Sequence, residues 1–255
     1  ISRIHFGSSA AFIIPDYQIT SYLEFPAFVL LGVTCAVVAL LFELSIMITE
    51  RLSWRFKMPL WLRPACGGLA VGAIAVFLPQ VLGVGYDATD MALKNQWPLA
   101  LLVVLIVAKT VATAITLASR MAGGVFSPAL YLGAMTGSAF GLIASSAFPE
   151  MASSNGLYAL LGMGAVAAAV LGAPVSTTVI VFELTGGFEM TIALLLTVSV
   201  AHGLSHAVLG HSYFHWQLVQ RGLSLHEGPH KEIMRRMRVS RFMTVLDPYQ
   251  PPPGD

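Results

Sequence analysis

Two stretches of this chain leave few folds open to it. Phe25 to Met47 carries a single charge, Glu43, and Trp97 to Ala118 carries a single charge, Lys109. Each reaches the roughly 20 apolar residues with which an α-helix crosses the hydrocarbon core of a bilayer. Lipid offers backbone N–H and C=O groups no partner, so only helices and closed barrels span it. Runs this long without alternation point to helices. Composition agrees: 11% of the 255 residues are charged and 56% are hydrophobic, where a soluble domain carries about 25% charge. The expected fold is an all-α, polytopic integral membrane protein.

The apolar pattern places one long helix over 24–55, a second over 59–80, a short one near 87–95 and a long one over 97–120. Helices over 127–148, about 190–209 and 212–222 complete the membrane part. Two breaks interrupt this plan. The first is "GGVFSPALYLGA" (123–134), where two glycines and a proline interrupt a sequence otherwise suited to lipid. Glycine is entropically poor in a helix and proline lacks the N–H, so both resist a helix interior. Gly123 and Gly124 read as a tight turn, Ser127 as a helix cap and Pro128 as a first helical residue. The second break is "APVSTTVIVFELTGG" (173–187): a helix begun at Pro174 and ended by Gly186-Gly187 spans about 18 Å, too short for a bilayer.

Short or interrupted helices in a polytopic protein point to a transport site near the bilayer midplane. A helix N-terminus presents unpaired N–H groups and about half a positive charge, so it can hold an anion by backbone alone. No Lys or Arg lies between Met121 and Ala134. That favours weak binding, which throughput needs.

Gly133, Ala134, Gly137, Ser138, Ala139 and Gly141 form a small-residue surface suited to close helix packing, as does "LLGMGAVAAAVLGAP" (160–174). Glu183 lies within the short helix, where an intramembrane carboxylate is a candidate functional acid. Capping or pairing with a base is an equal reading. Glu43 and Lys109 could pair with one another, but helix packing is the favoured role for both. His202, His206, His211 and His215 repeat an i, i+4 spacing that can chelate a metal, but no carboxylate or cysteine accompanies them, and no metal site is expected. "TGSAFG" lacks the G-x-S-x-G spacing of a nucleophile elbow, so no enzyme is expected. Cys35 and Cys66 read as packed thiols.

Arg51, Arg55, Lys57 and Arg63 cluster between two apolar runs, and basic residues return densely from Arg221 to Arg241. By the positive-inside rule the 51–63 loop and the C-terminus are cytoplasmic. Orientation and contact with lipid headgroups account for these charges, and no nucleic-acid partner is expected. The N-terminal stretch has no initiator Met, no basic region and no cleavage site, and reads as a chain beginning in mid-protein.

At "GGVFSPALYLGAMTGSAFG" the chain resembles the CLC chloride channels and chloride/proton antiporters, in which a G-x-F-x-P stretch opens a pore-lining helix. "GMGAVAAAVLGAPVSTTVIVFELTGGFEM", "FLPQVLGVGYDATDMAL" and "SYFHWQLVQRG" are similar to other segments of that family. The resemblance covers about residues 1–222 and implies the C-terminal half of a CLC-type membrane domain, with its re-entrant helices and inverted repeat. It implies a homodimer in the membrane, one pathway per subunit, with chloride as substrate and no cofactor. Gly124, Val125 and Phe126 would contact the ion through backbone. The pore tyrosine of the family falls at Phe214, with Tyr213 one place earlier.

Residues 223–255 resemble a linker into a CBS-domain pair. The family's G-S-G-I-P serine and G-R-E-G-P glutamate motifs do not occur in 1–255. A complete pore would therefore need the N-terminal half. Another anion, such as fluoride or nitrate, and a non-conducting dimerisation module are the alternatives.

Overall fold

The computed structural model describes residues 24–55, 59, 61–149, 153–185 and 190–220. Its regular elements are all helices: α1 (Phe25–Arg55), α2 (Leu62–Phe77), a 3₁₀ turn (Pro79–Val81), α3 (Tyr86–Leu93), α4 (Leu99–Ala118), α5 (Phe126–Ala147), α6 (Asn155–Leu171), α7 (Pro174–Thr185), α8 (Thr191–Leu209) and α9 (Tyr213–Gln220). The chain divides into two compact units, Ile1–Tyr213 and Phe214–Asp255. Of the second, the described part is the body of α9. The loop before Tyr22, the Gly186-Gly187 stop and the 223–255 linker lie outside the described residues, as does the end of the helix expected over 212–222.

Among the described residues, four helical stretches are long and apolar enough to cross a membrane: Phe25–Ser53, Leu99–Ala118, Phe126–Ala147 and Thr191–Gln220. Apolar side chains such as Leu30, Leu41, Ile48 and Val107 stand exposed on them, as helices facing lipid require. α7 has 12 residues, about 18 Å at 1.5 Å per residue. It is the short helix expected from Pro174.

The centre of the first unit is α6, buried continuously from Gly156 to Val170. It lies antiparallel to α5, and the small residues make that approach possible. A Cβ built on Gly137 would fall 2.0 Å from the Tyr158 carbonyl oxygen, and one on Gly141 1.9 Å from Asn155 Oδ1. A larger residue at Gly137 would meet main chain and force the helices apart, whereas at Gly141 the Asn155 side chain would have to move. α1 packs on α8, α6, α4 and α5. Its register is held at both ends. Glu24, 3% exposed, accepts hydrogen bonds from the Ser153 N–H and hydroxyl, and Ser53 Oγ donates to the Ala118 carbonyl at 2.9 Å.

A second cluster joins the 3₁₀ turn, α3, α4 and α5 through Val81, Ala92, Leu105, Ala112, Tyr131 and Met135. This cluster fixes the start of α5 relative to the turn at 82–85. Both cysteines are free thiols; Cys35 is buried, whereas Cys66 is exposed, so only Cys35 is the packed thiol expected.

Candidate functional site

The chain leaves α4 at Ser119 and reverses at Arg120, whose φ of 61° is left-handed. It then passes through Gly123 and Gly124 into α5. Neither glycine has a positive φ, so the tight-turn role expected of them belongs to Arg120 instead. What distinguishes Gly124 is space. A Cβ built there would meet no heavy atom within 4 Å. The glycine is not demanded by torsion or by packing; it leaves the backbone ahead of α5 uncovered.

α5 begins at Phe126, with Val125 as its N-cap residue and no side chain capping it. Ser127 and Pro128 are therefore the second and third helical residues, which corrects the expected cap and first position. The Ser127 hydroxyl turns away from its own helix and donates to the Val84 carbonyl at 3.0 Å. The first bond back into this end runs from the Ala129 N–H to the Val125 carbonyl at 3.0 Å. The N–H groups of Phe126 and Ser127 thus precede any intrahelical acceptor, and Pro128 has none to offer. Val125 is 2% exposed and Phe126 37%. This end of α5 presents donors and a partial positive charge beside bare backbone.

Two cavities flank it. One, of about 430 Å³, is lined by Lys109, Thr113, Thr116, Gly123, Gly124 and Ser127 among others. The other, of about 160 Å³, brings Phe126, Ser127 and Tyr131 together with Met163 of α6 and Ile180 of α7. Both are large enough for a small ion with some of its hydration, a water taking about 30 Å³ in the liquid.

The remaining candidates fall elsewhere. Tyr213 is buried at 4% exposure and lines neither cavity. Phe214, in the second unit, is 45% exposed. Glu183 is exposed near the end of α7 and enters no ion pair among the described residues. His202 and His206 stack ring on ring, 5.9 Å between centroids. Glu43 and Lys109 do not pair. Glu43 is fully buried with both carboxyl oxygens lacking a donor, while Lys109 donates to the carbonyls of Val81 and Gly83 at 2.8 and 2.9 Å. Lys109 also lies over the Tyr131 ring, 4.9 Å from its centroid. Its place beside the Gly123-Gly124 loop was not read from sequence. The signal available was a lone cation in an apolar helix, which names no partner.

The sequence model of the voltage gated chloride channel family matches residues 1–206. The chain belongs to this family. A putative chloride channel protein, ClcB-like, from Ralstonia nicotianae is 32% identical over 207 residues, covering 81% of this chain and 48% of that protein. The H(+)/Cl(−) exchange transporter ClcA of Vibrio cholerae is 29% identical over 228 residues, covering 88% and 48%. Chloride channel protein CLC-f of Arabidopsis thaliana is 31% identical, covering 79% and 28%.

The CLC chain therefore spans at most about half the length of these relatives. Among solved structures, a slow cyanobacterial Cl−/H+ antiporter superposes with a TM-score of 0.76 at 22% identity, over 86% of this chain and 52% of that one. A CLC-type fluoride/proton antiporter superposes with a TM-score of 0.63 at 22% identity, over 77% and 47%. The all-helical membrane fold of the CLC proteins is thus present here in part.

Proposed function

We propose that this CLC chain moves chloride across a membrane, the ion held at mid-membrane by the backbone amides of Val125 and Phe126 at the start of α5. The carrying observation is the bare first turn: no capping side chain at Val125, and open space where Gly124 would carry a side chain. Backbone dipoles hold an anion less firmly than a side-chain cation in direct contact would, which suits an ion that must leave again. Lys109, which lines the neighbouring cavity, directs its ammonium to the Val81 and Gly83 carbonyls. Gly124 keeps the approach open, and Ser127 and Pro128 shape the turn.

The family names among the relatives include both channels and H(+)/Cl(−) exchangers, and membership supports anion transport of one of these kinds. Since the chain spans about half of such proteins, the reading requires the other half of the membrane domain to close the pathway. The same reading makes the protein a homodimer in the cell membrane. The basic residues at 51–63 and those from Arg221 to Arg241 support a cytoplasmic place for that loop and for the C-terminus. Fluoride is the second anion to test, because one neighbour of like fold is titled a fluoride/proton antiporter.

The test is anion efflux from liposomes, with external pH recorded, for the chain alone and co-expressed with a CLC N-terminal half. Chloride efflux only with the partner half supports the shared pathway, and accompanying proton movement assigns exchange. Fluoride efflux without chloride efflux replaces the ion. No efflux from folded, inserted protein in either case rejects transport in favour of a non-conducting module.

A further inference from the structure

We propose that Lys109 is a positioning residue for the anion site, acting through the 81–85 loop to set the first turn of α5. The proposal rests on the reading of that turn as the anion-binding element. Lys109 is 4% exposed, and its ammonium gathers two carbonyls of one loop, Val81 at 2.8 Å and Gly83 at 2.9 Å. Left-handed φ values at Gly83 (63°) and Gly85 (86°) fold the loop so tightly. In a low-dielectric interior, carbonyls turned inward need a donor, and a lysine cation supplies several from one atom.

The far side of the loop is fastened to α5. The Val84 carbonyl, between the two glycines, accepts from Ser127 Oγ at 3.0 Å. Gly85 lies against Tyr131, so that a Cβ there would come 2.5 Å from the ring. Tyr131 in turn offers its face to the Lys109 ammonium, a contact that strengthens when desolvated. The loop is therefore held on one side by α4 and on the other by α5. The α5 anchor, Ser127, directly follows Phe126. A shift of the loop moves the N–H groups that face the ion, although Lys109 itself need not touch it.

The experiment is a double-mutant cycle on the chain co-expressed with a CLC N-terminal half. The readouts are the chloride concentration that half-saturates thermal stabilisation, and the melting temperature without chloride. Lys109→Met and Ser127→Ala should each weaken apparent chloride affinity about fivefold, near one hydrogen bond's worth. The double variant should be no weaker than either single one, because both cut the same linkage. Lys109→Arg, which keeps donors and charge, should restore most of the affinity.

Additive effects overturn the proposal, as does a loss of melting temperature with chloride affinity unchanged. If Lys109→Met does not fold, Ser127→Ala and Lys109→Arg still decide it: unchanged chloride affinity in Ser127→Ala rejects the linkage. Absence of any chloride-dependent stabilisation in the unmodified protein rejects instead the anion site on which the proposal rests.

Discussion

Gly133 of α5 and Gly162 of α6 stand backbone against backbone. A Cβ on Gly133 would lie 2.3 Å from the Gly162 carbonyl oxygen, and one on Gly162 would lie 2.4 Å from that of Gly133. The obstacle in each case is main chain, which has no rotamer by which to yield. Gly162→Ala should therefore lower stability by roughly 1–3 kcal/mol, and Gly162→Leu should prevent the two helices from packing at all. Thermal unfolding in detergent checks this; an alanine variant as stable as the parent would refute the close approach.

The Glu24 carboxylate ties the start of α1 to the turn before α6. It accepts from the Ser153 N–H and hydroxyl and sits 3.5 Å from the Tyr158 hydroxyl. Glu24→Ala removes both of these buried acceptors at once. The expected loss is about 1–3 kcal/mol, seen as a lower melting temperature. Ser153→Ala removes only one of the bonds and should cost less. Equal losses would mean that the hydroxyl, not the backbone donor, dominates.

Glu43 invites the opposite result. It is fully buried and neither carboxyl oxygen has a donor. Met fills a similar volume without polar atoms, so Glu43→Met should leave stability unchanged or raise it by about 1–2 kcal/mol. A marked loss of stability in the same unfolding assay would show that Glu43 finds a partner in the assembled protein.

At Gly124 stability and function should separate. Its φ is not positive and nothing lies within 4 Å of a built Cβ, so Gly124→Leu should fold with a melting temperature near that of the parent. A side chain there covers the approach to the amides of Val125 and Phe126. Chloride efflux in the co-expressed assembly should fall at least tenfold, about 1.4 kcal/mol on the barrier to passage. Efflux at the parental rate would take the ion away from this turn.

Much of the plan was legible in the order of residues. Membrane helices announce themselves because lipid demands a long apolar run and permits no other spanning element but the barrel. The start of the 12-residue α7 was readable from Pro174, because proline suits the first turn of a helix. The glycines of α5 and α6 declared close packing, since small side chains on one helical face serve little else in a membrane. The Gly-Gly-Val-Phe-Ser-Pro break marked the candidate site through the backbone chemistry of its residues.

The sequence by itself thus determined the helical spans and the place where a new helix starts after the Gly-Gly break, because both follow from local chemistry. Tertiary structure alone decided what the polar side chains do. Ser127 crosses to Val84 instead of capping its own helix, Lys109 turns to Val81 and Gly83 rather than Glu43, and Gly124 is open, without a positive φ, where a tight turn was expected. Each of the two side-chain contacts joins groups 26 to 43 residues apart in the chain. Such partners meet only once helices have taken their register, and hydrogen bonds a few ångströms long are settled by that register, not by residue type.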